Sequence, residues 1–445
     1  MRWLPLADRP PLGADPEAVG AGPAGAGPPP GEREALRFWL RLGAISFGGP
    51  AGQIAIMHDE LVERRGWISE RRFLHALNFC MALPGPEAQQ LASYIGHHLH
   101  GVRGALTAGG LFVLPSFLLL VGMSAVYAAF GEVAAVAGVV RGLAGAVIAL
   151  IVAAIVRIGW RVIRTPAAAA LAGGAFAAFV AGMPFVALLA AAALLGWAAG
   201  RWSPGLLGAA TAAPHAADLP GDEAVRAAPS PPVRPRLRLA VTVTAWLAMV
   251  GGLLALGGLA ADLASLFTVT ALVTFGGAYA VLPFVADQAV NRFGWLSPEE
   301  MVAGLALGES TPGPLIMVNT FVGYMAGHNV GGGFWWGLAG ATIATACTFA
   351  PSFLFIINGA PLIDRVRGAG PLAHALGGIT IAVVGVIGGL AVFIGENTLV
   401  VDGRPDLLVI GLALAAFAAL WRYRVSVPLV VAGCALAGLL AEVAG

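Results

Sequence analysis

The residues of this chain with the means to act on a small solute cluster around four breaks made of glycine and proline. Pro84-Gly85-Pro86 leads directly into Glu87, Gln89 and Gln90. At an offset of 228 positions, Pro312-Gly313-Pro314 follows Glu309, Ser310 and Thr311 and precedes Asn319. An aromatic-Gly-Gly break lies upstream of each: Phe47-Gly48-Gly49 with Pro50, flanked by Ser46 and Gln53, and Phe275-Gly276-Gly277, flanked by Thr274. Glycine permits close approach of backbone to a bound group, and proline suits a first helical turn, where its missing N–H would be unpaired anyway. A helix starting after a break presents free N–H groups and about half a positive charge, so four starts would gather about two. A dianion bound mainly by backbone and hydroxyl donors suits that field. The alternative is that the glycines and prolines serve helix packing.

Glu87 and Glu309 each lie within three residues of a Pro-Gly-Pro, although they are not equivalent in the repeat. A carboxyl at membrane depth is costly to keep charged and is a candidate proton carrier, whereas a helix-capping or interfacial glutamate would be structural. Arg141, inside an apolar stretch, reads either as an attractor of anions or as half of an ion pair. His97, His98 and His100 have no carboxylate or cysteine nearby and read as interfacial residues, not metal ligands. Cys80, Cys347 and Cys434 stand singly in apolar segments and read as packing residues. There is no glycine-rich nucleotide loop of P-loop type and no nucleophile–base pair, so neither a cofactor nor an enzymatic reaction is expected.

The elements that carry these residues come in duplicate. Between 47–86 and 275–314, 13 of 40 positions are identical without a gap, including Asp59/Asp287, Arg64/Arg292, Gly66-Trp67/Gly294-Trp295 and Ser69/Ser297. Pro115-Ser116-Phe117 and Pro351-Ser352-Phe353 extend the match at an offset of 236. A long duplication in a chain that is 58% apolar and only 11% charged points to an all-α polytopic membrane protein, a transporter built from two halves. Nucleic acid is excluded as a partner by a net charge of +1, and every one of the 25 basic residues is arginine.

Nine apolar stretches are long enough to span a bilayer, near 102–130, 133–163, 166–182, 184–200, 238–260, 331–359, 371–394, 406–420 and 424–444. The motif segments are instead broken into arms of about 20 Å, short of a hydrocarbon core of about 30 Å, and are predicted to be re-entrant hairpins or broken helices. With the N-terminus in the cytoplasm, hairpins put the Arg64, Arg65, Arg71 and Arg72 cluster inside and leave only Arg292 and Arg404 outside. The span at 238–260 then turns the second repeat over, giving two repeats of inverted topology. The expected organisation is a disordered tail over 1–33, a first repeat over 34–200, a cytoplasmic linker over 201–237 and a second repeat over 238–445. No apolar core that could serve as a signal peptide precedes residue 34.

The Phe-Gly-Gly-Pro start, the Gly-Trp-Ile-Ser segment, Ala82-Leu83-Pro84-Gly85-Pro86-Glu87-Ala88-Gln89-Gln90, and their echo in Thr274-Phe275-Gly276-Gly277 through Ser310-Thr311-Pro312-Gly313-Pro314 resemble the chromate ion transporter (CHR) family in its long, two-domain form. The resemblance implies a multi-pass protein of the bacterial inner membrane that exports chromate, a tetrahedral dianion taken up through sulfate pathways, driven by the proton motive force, and so confers chromate resistance. Protons and the lipid bilayer are then partners, and a homodimer is compatible with the sequence. Ala278 in place of Pro50 and Leu315 in place of Glu87 set the second half apart from the first. A carrier of sulfate or another oxyanion, an anion channel, or a membrane-embedded enzyme are the alternatives.

Overall fold

The computed structural model describes residues 30–47, 49–131, 133–203, 205–208, 235–275, 277–360, 371–401 and 403–444. Gly48 and Gly276 of the candidate site lie outside that set, as do residues 1–29 of the tail and 209–234 of the linker. Among the described residues the chain is helical almost throughout, and its one sheet is the two-residue pairing of Val400–Val401 with Arg404–Pro405. Six helices among the described residues have the length and apolar content to cross a membrane: Glu87–Phe130, Ala134–Val162, Phe185–Trp202, Pro235–Leu256, Phe334–Gly359 and Ala373–Thr398. The protein is an all-α polytopic membrane protein. The expected spans near 166–182, 406–420 and 424–444 are shorter apolar helices, Pro166–Val180, Leu407–Trp421 and Val427–Val443.

The duplicated sequence builds duplicated elements. Helices α1 (Glu32–Ile45) and α9 (Gly258–Val273) both stop one residue before the aromatic-Gly-Gly break, capped by Ser46 and Thr274. The chain leaves the first break as α2 (Gly49–His58) and the second as a 3-10 turn, Ala278–Ala280, running into α10 (Leu282–Ala286). Both then widen into a π-helical turn, Asp59–Arg64 and Asp287–Arg292. The turn is closed identically, with Trp67 N–H donating to Leu61 O and Trp295 N–H to Ala289 O, both at 2.8 Å. Gly66 and Gly294 supply the positive φ there, +59° and +61°, which explains the shared Gly-Trp pair. Ser69 and Ser297 match because each N-caps the next helix, α3 (Glu70–Ala82) and α11 (Pro298–Ser310).

Helix α4 (Glu87–Phe130) reverses direction at His100–Gly101. A Cβ on Gly96 would meet Gly104 and Ala108, and one on Gly109 would meet Ser93, so the arms 87–99 and 102–130 run antiparallel in close contact. In the second half α12 (Val318–Gly331) and α13 (Phe334–Gly359) form the same pair, with Gly323 against Gly340 and Gly327 against the Trp336 backbone. Small residues allow helix backbones to approach this closely in an apolar solvent.

The broken segments at 34–63, 70–99 and 299–328 each return to the end from which they came. Past the π turn, Arg65 pairs with Glu34 at the start of α1 at 3.4 Å, and its guanidinium lies over Phe38 and Trp67 at 4.9 and 5.1 Å from the ring centres. His100 is 2.9 Å from Pro30 O, and Asn329 near the end of α12 donates to Trp295 O at 2.9 Å. The segments are therefore re-entrant hairpins. The long arm of α4 leads away from His100, and at its far end Tyr127 and Phe130 line a cavity of about 740 Å³ together with Glu300, His328 and Asn329. The 64–72 turn and the 292–300 turn thus lie at opposite ends of an arm roughly 40 Å long at 1.5 Å per residue.

The remaining helices interlock the halves. α5 (Ala134–Val162) packs on α15 (Leu407–Trp421) and α16 (Val427–Ala444), while α14 (Pro371–Thr398) packs on α6 (Pro166–Val180) and α7 (Phe185–Trp202). Gly142 sits against the backbone of Cys434 and Gly438, and Gly378 against that of Ala192 and Gly196. Arg141 of α5 pairs with Asp406 at 2.6 Å, and Asp406 in turn accepts from Leu408 N and Val409 N to cap α15. Of the two readings of Arg141, the ion pair is the one observed. Helix α8 (Pro235–Leu256), with no counterpart in the repeat, has no buried residue along its 22 positions, as a lipid-facing span should.

Candidate functional site at the hairpin tips

The tips of the two repeats touch each other. Gly85 N–H donates to Thr274 O at 2.8 Å, and its equivalent, Gly313 N–H, donates to Ser46 O at 2.7 Å. Residue i of one repeat bonds residue j of the other, and j bonds i, which is the signature of a two-fold relation. Each junction therefore joins a Pro-Gly-Pro turn of one half to an aromatic-Gly-Gly break of the other. Gly85 and Gly313 have φ of +124° and +103°. A Cβ on Gly85 would stand 2.5 Å from Ser352 Oγ and 2.7 Å from Gln90 Nε2, and one on Gly313 would collide with Ser116.

The Gly313–Ser46 junction is bridged by Gln53 of α2, fully buried, whose side-chain NH₂ donates to Ser46 O at 3.3 Å and to Gly313 O. At the Gly85–Thr274 junction, Gln90 of α4, also fully buried, donates to Pro84 O at 2.7 Å and lies 3.4 Å from Ser352 Oγ. Ser116 donates to Pro312 O. Ser116 and Ser352 belong to the Pro-Ser-Phe repeat of the long spans, so the signal for their role was present in the sequence although the candidate site did not include them. Pro115 and Pro351 sit within helices beside these serines.

The other predicted residues divide into those at the tips and those beside them. Gly49, with φ of +71°, and Pro50 open α2; Pro86 N-caps α4, and Glu87 is its first residue. Gly277, with φ of +100°, N-caps the 3-10 turn. Thr311 caps α11, and Pro314 N-caps a 3-10 turn, Leu315–Met317, before α12 begins. Two of the four expected helix starts are thus 3-10 turns, in the half that lacks Pro50 and Glu87. Gln89 donates to Ser93 at 3.0 Å, and Asn319 to Thr348 at 3.1 Å; both amides are buried but neither bonds a tip. The hydroxyls expected as anion donors are engaged with their own helices in this conformation. Ser46 donates to Leu42 O, Thr274 to Thr270 O, Ser310 to Leu307 O and Thr311 to Gly308 O.

Glu309 is half-buried in the last turn of α11 and accepts from the Tyr279 hydroxyl, with the charge of Arg157 acting on both. Arg157 is not marked in the sequence by any break or repeat, and Tyr279, just past the Phe275-Gly276-Gly277 break, has Ala51 as its counterpart in the first repeat. Of the histidine run, His100 is tied to Pro30; among the described residues the fold gathers His58, at the end of α2, with Asp59 and Glu63 of the first π turn, partly or fully exposed. The amide oxygens of Gln53, Gln89, Gln90 and Asn319 have no hydrogen-bond partner. A buried acceptor left unpaired costs about 1–3 kcal/mol.

The halves are unequal in what they bring. The positions equivalent to Gln53 and Gln90 are Val281 and Val318, both fully buried, and Glu87 is matched by Leu315. The tips therefore join a polar half to an apolar one across a two-fold backbone relation.

A family model described as chromate transporter matches residues 33–197 and 261–439. The chain is 31% identical to the chromate transport protein of Pseudomonas aeruginosa, over 93% of each chain. It is 28% identical to the chromate transport protein of Cupriavidus metallidurans, over 96% of this chain and 97% of that one. An uncharacterized transporter of Methanocaldococcus jannaschii is 25% identical over 84% of this chain and 86% of its own. No solved structure matches.

Proposed function

The chain belongs to the chromate transporter family, and from that premise we propose a secondary carrier that exports chromate, chemically unchanged, across the bacterial inner membrane by proton antiport and so confers chromate resistance. The observation that carries this reading is the pair of reciprocal junctions, Gly85 to Thr274 and Gly313 to Ser46, in a buried polar region where four re-entrant arms meet. Irregular backbone is tolerated at membrane depth only when buried in protein or lining a cavity, and tips joined by hydrogen bonds alone can part to admit a solute. Parting frees the N–H groups of Gly85 and Gly313 beside the helix start at Glu87, a set of donors suited to an oxyanion.

In this reading the repeats have inverted topology, with the N-terminus and the arginine-rich 64–72 turn cytoplasmic and the 292–300 turn external. Opposite placement of these turns along the long arm of α4 supports it. Glu87 and Glu309 are the proton carriers, one in each half. An anion leaving a cell with a negative interior gains about 2.3 kcal/mol per charge per 100 mV from the potential, so inward proton movement adds to a favourable electrical term.

Uptake of labelled chromate into inverted vesicles tests the reading. Saturable uptake, counterflow by unlabelled chromate and loss of accumulation on adding an uncoupler are expected. Uptake that neither saturates nor shows counterflow identifies a channel, and uptake of sulfate in preference to chromate a sulfate carrier; either result overturns the proposal.

A further inference from the structure

On the reading of the tips as an oxyanion site, we infer that the ion bound there is the singly protonated one, its O–H donated to the amide oxygen of Gln53 or Gln90. The orientation of these two amides is forced. The Gln53 NH₂ faces two carbonyl oxygens, Ser46 O and Gly313 O, and the Gln90 NH₂ faces Pro84 O; a carbonyl cannot donate, so neither amide can be turned over without losing its bonds. Oε1 of each is consequently fixed as an acceptor, fully buried and without a partner, one at each tip-to-tip junction. A fully ionised oxyanion has only acceptor oxygens and would meet these two lone-pair faces with repulsion. An anion that keeps one proton presents a donor to one of them, and leaves its other oxygens to the N–H groups of Gly85, Gly313 and the α4 start.

This arrangement separates chromate from sulfate by chemistry rather than by shape. The two ions are both tetrahedral dianions, but chromate takes up a proton near neutral pH, whereas sulfate and selenate do so only in strong acid. A site built to bond a substrate O–H rejects analogues that lack it, because its own buried polar group is then left unpaired. Gln53 and Gln90 are accordingly specificity-determining residues, and the apolar equivalents Val281 and Val318 restrict this discrimination to the first half. The titratable groups around the tips are Glu87 and Cys80 on one side and Glu309, Tyr279 and Arg157 on the other. Their own titration has to be told apart from that of the substrate.

Purified protein in proteoliposomes, with equal pH on both sides and the potential clamped, provides the test. The KM for chromate is expected to rise about tenfold per pH unit above the protonation pH of chromate and to level off below it, because the apparent affinity scales with the competent fraction. Molybdate, which takes its proton in more acid solution, should inhibit with a pH dependence that has not yet levelled off where that of chromate has. Titration of the protein would instead give both anions the same midpoint and overturn the inference. Selenate should inhibit at least about a hundredfold more weakly than chromate in the wild type, and within about tenfold of chromate in the double variant Gln53→Met/Gln90→Met, which removes both acceptors. A flat KM with selenate competing as well as chromate does would also overturn it, while leaving chromate carriage intact. Absence of any chromate flux would remove the transport reading itself.

Discussion

At the residue scale, the tip glycines fall into two classes that the sequence does not distinguish. Gly49 has a positive φ but open space where a Cβ would stand, whereas Gly85 and Gly313 combine positive φ with serine and glutamine atoms already in the way. Gly49→Ala should cost only the backbone strain, about 1–2 kcal/mol, and retain chromate uptake. Gly85→Ala or Gly313→Ala should reduce initial uptake rates about tenfold or more at matched membrane abundance, because the junction bonds move with the displaced serine. Equal effects at all three positions would show that strain alone matters. Glu309→Gln and Glu87→Gln should preserve chromate exchange between equal pools while abolishing proton-driven accumulation in vesicles; Tyr279→Phe, which leaves Glu309 its charge but removes its hydrogen bond, should shift the pH dependence of accumulation without abolishing it. Most of the tip residues were legible in the sequence, since breaks and their repetition are local signals. Tyr279, Arg157 and the serines of the long spans were not read as part of the site, because what puts them there is contact between residues as far apart as Ser116 and Pro312.

At the scale of elements, six of the nine expected spans could be read from the lengths of the apolar runs, the stretches near 166–182, 406–420 and 424–444 being shorter helices, and the reversal at His100–Gly101 falls where the arm at 86–99 gives way to the span at 102–130. The π turns could not. They appear in the sequence only as unexplained identities, Asp59/Asp287 and Arg64/Arg292, because a widened turn has no composition of its own. Packing partners were equally invisible, since in an apolar solvent every face of a helix is apolar and periodicity no longer reports which one is buried. The Arg141–Asp406 link makes this concrete: it ties α5 to the start of α15 across 265 positions. Asp406→Ala removes a cap and strands a guanidinium, and is expected to lower stability in detergent by about 1–2 kcal/mol. Arg141→Ala should cost less, because that side chain is 48% exposed and Asp406 keeps its bonds to Leu408 and Val409. Thermal denaturation of the two variants should show that order.

For the whole molecule, Arg64 and Arg292 are exposed, repeat-equivalent and away from the caps that Ser69 and Ser297 provide, so they are the positions at which to read sidedness. In a cysteine-free background, Arg64→Cys should react with an impermeant thiol reagent only from the cytoplasmic face and Arg292→Cys only from the outer face; reaction of both from one face would refute inverted topology. The interlocking described above carries a further consequence. Because α5 lies on α15 and α16, and α14 on α6 and α7, neither half possesses a complete hydrophobic surface of its own, and the backbone donors of Gly85 and Gly313 each find their acceptor only in the other half. Continuity of the peptide chain between them is therefore dispensable in a way that the presence of both is not. Two polypeptides divided within 209–234 and synthesised together should assemble into a working carrier, and either one synthesised alone should be degraded.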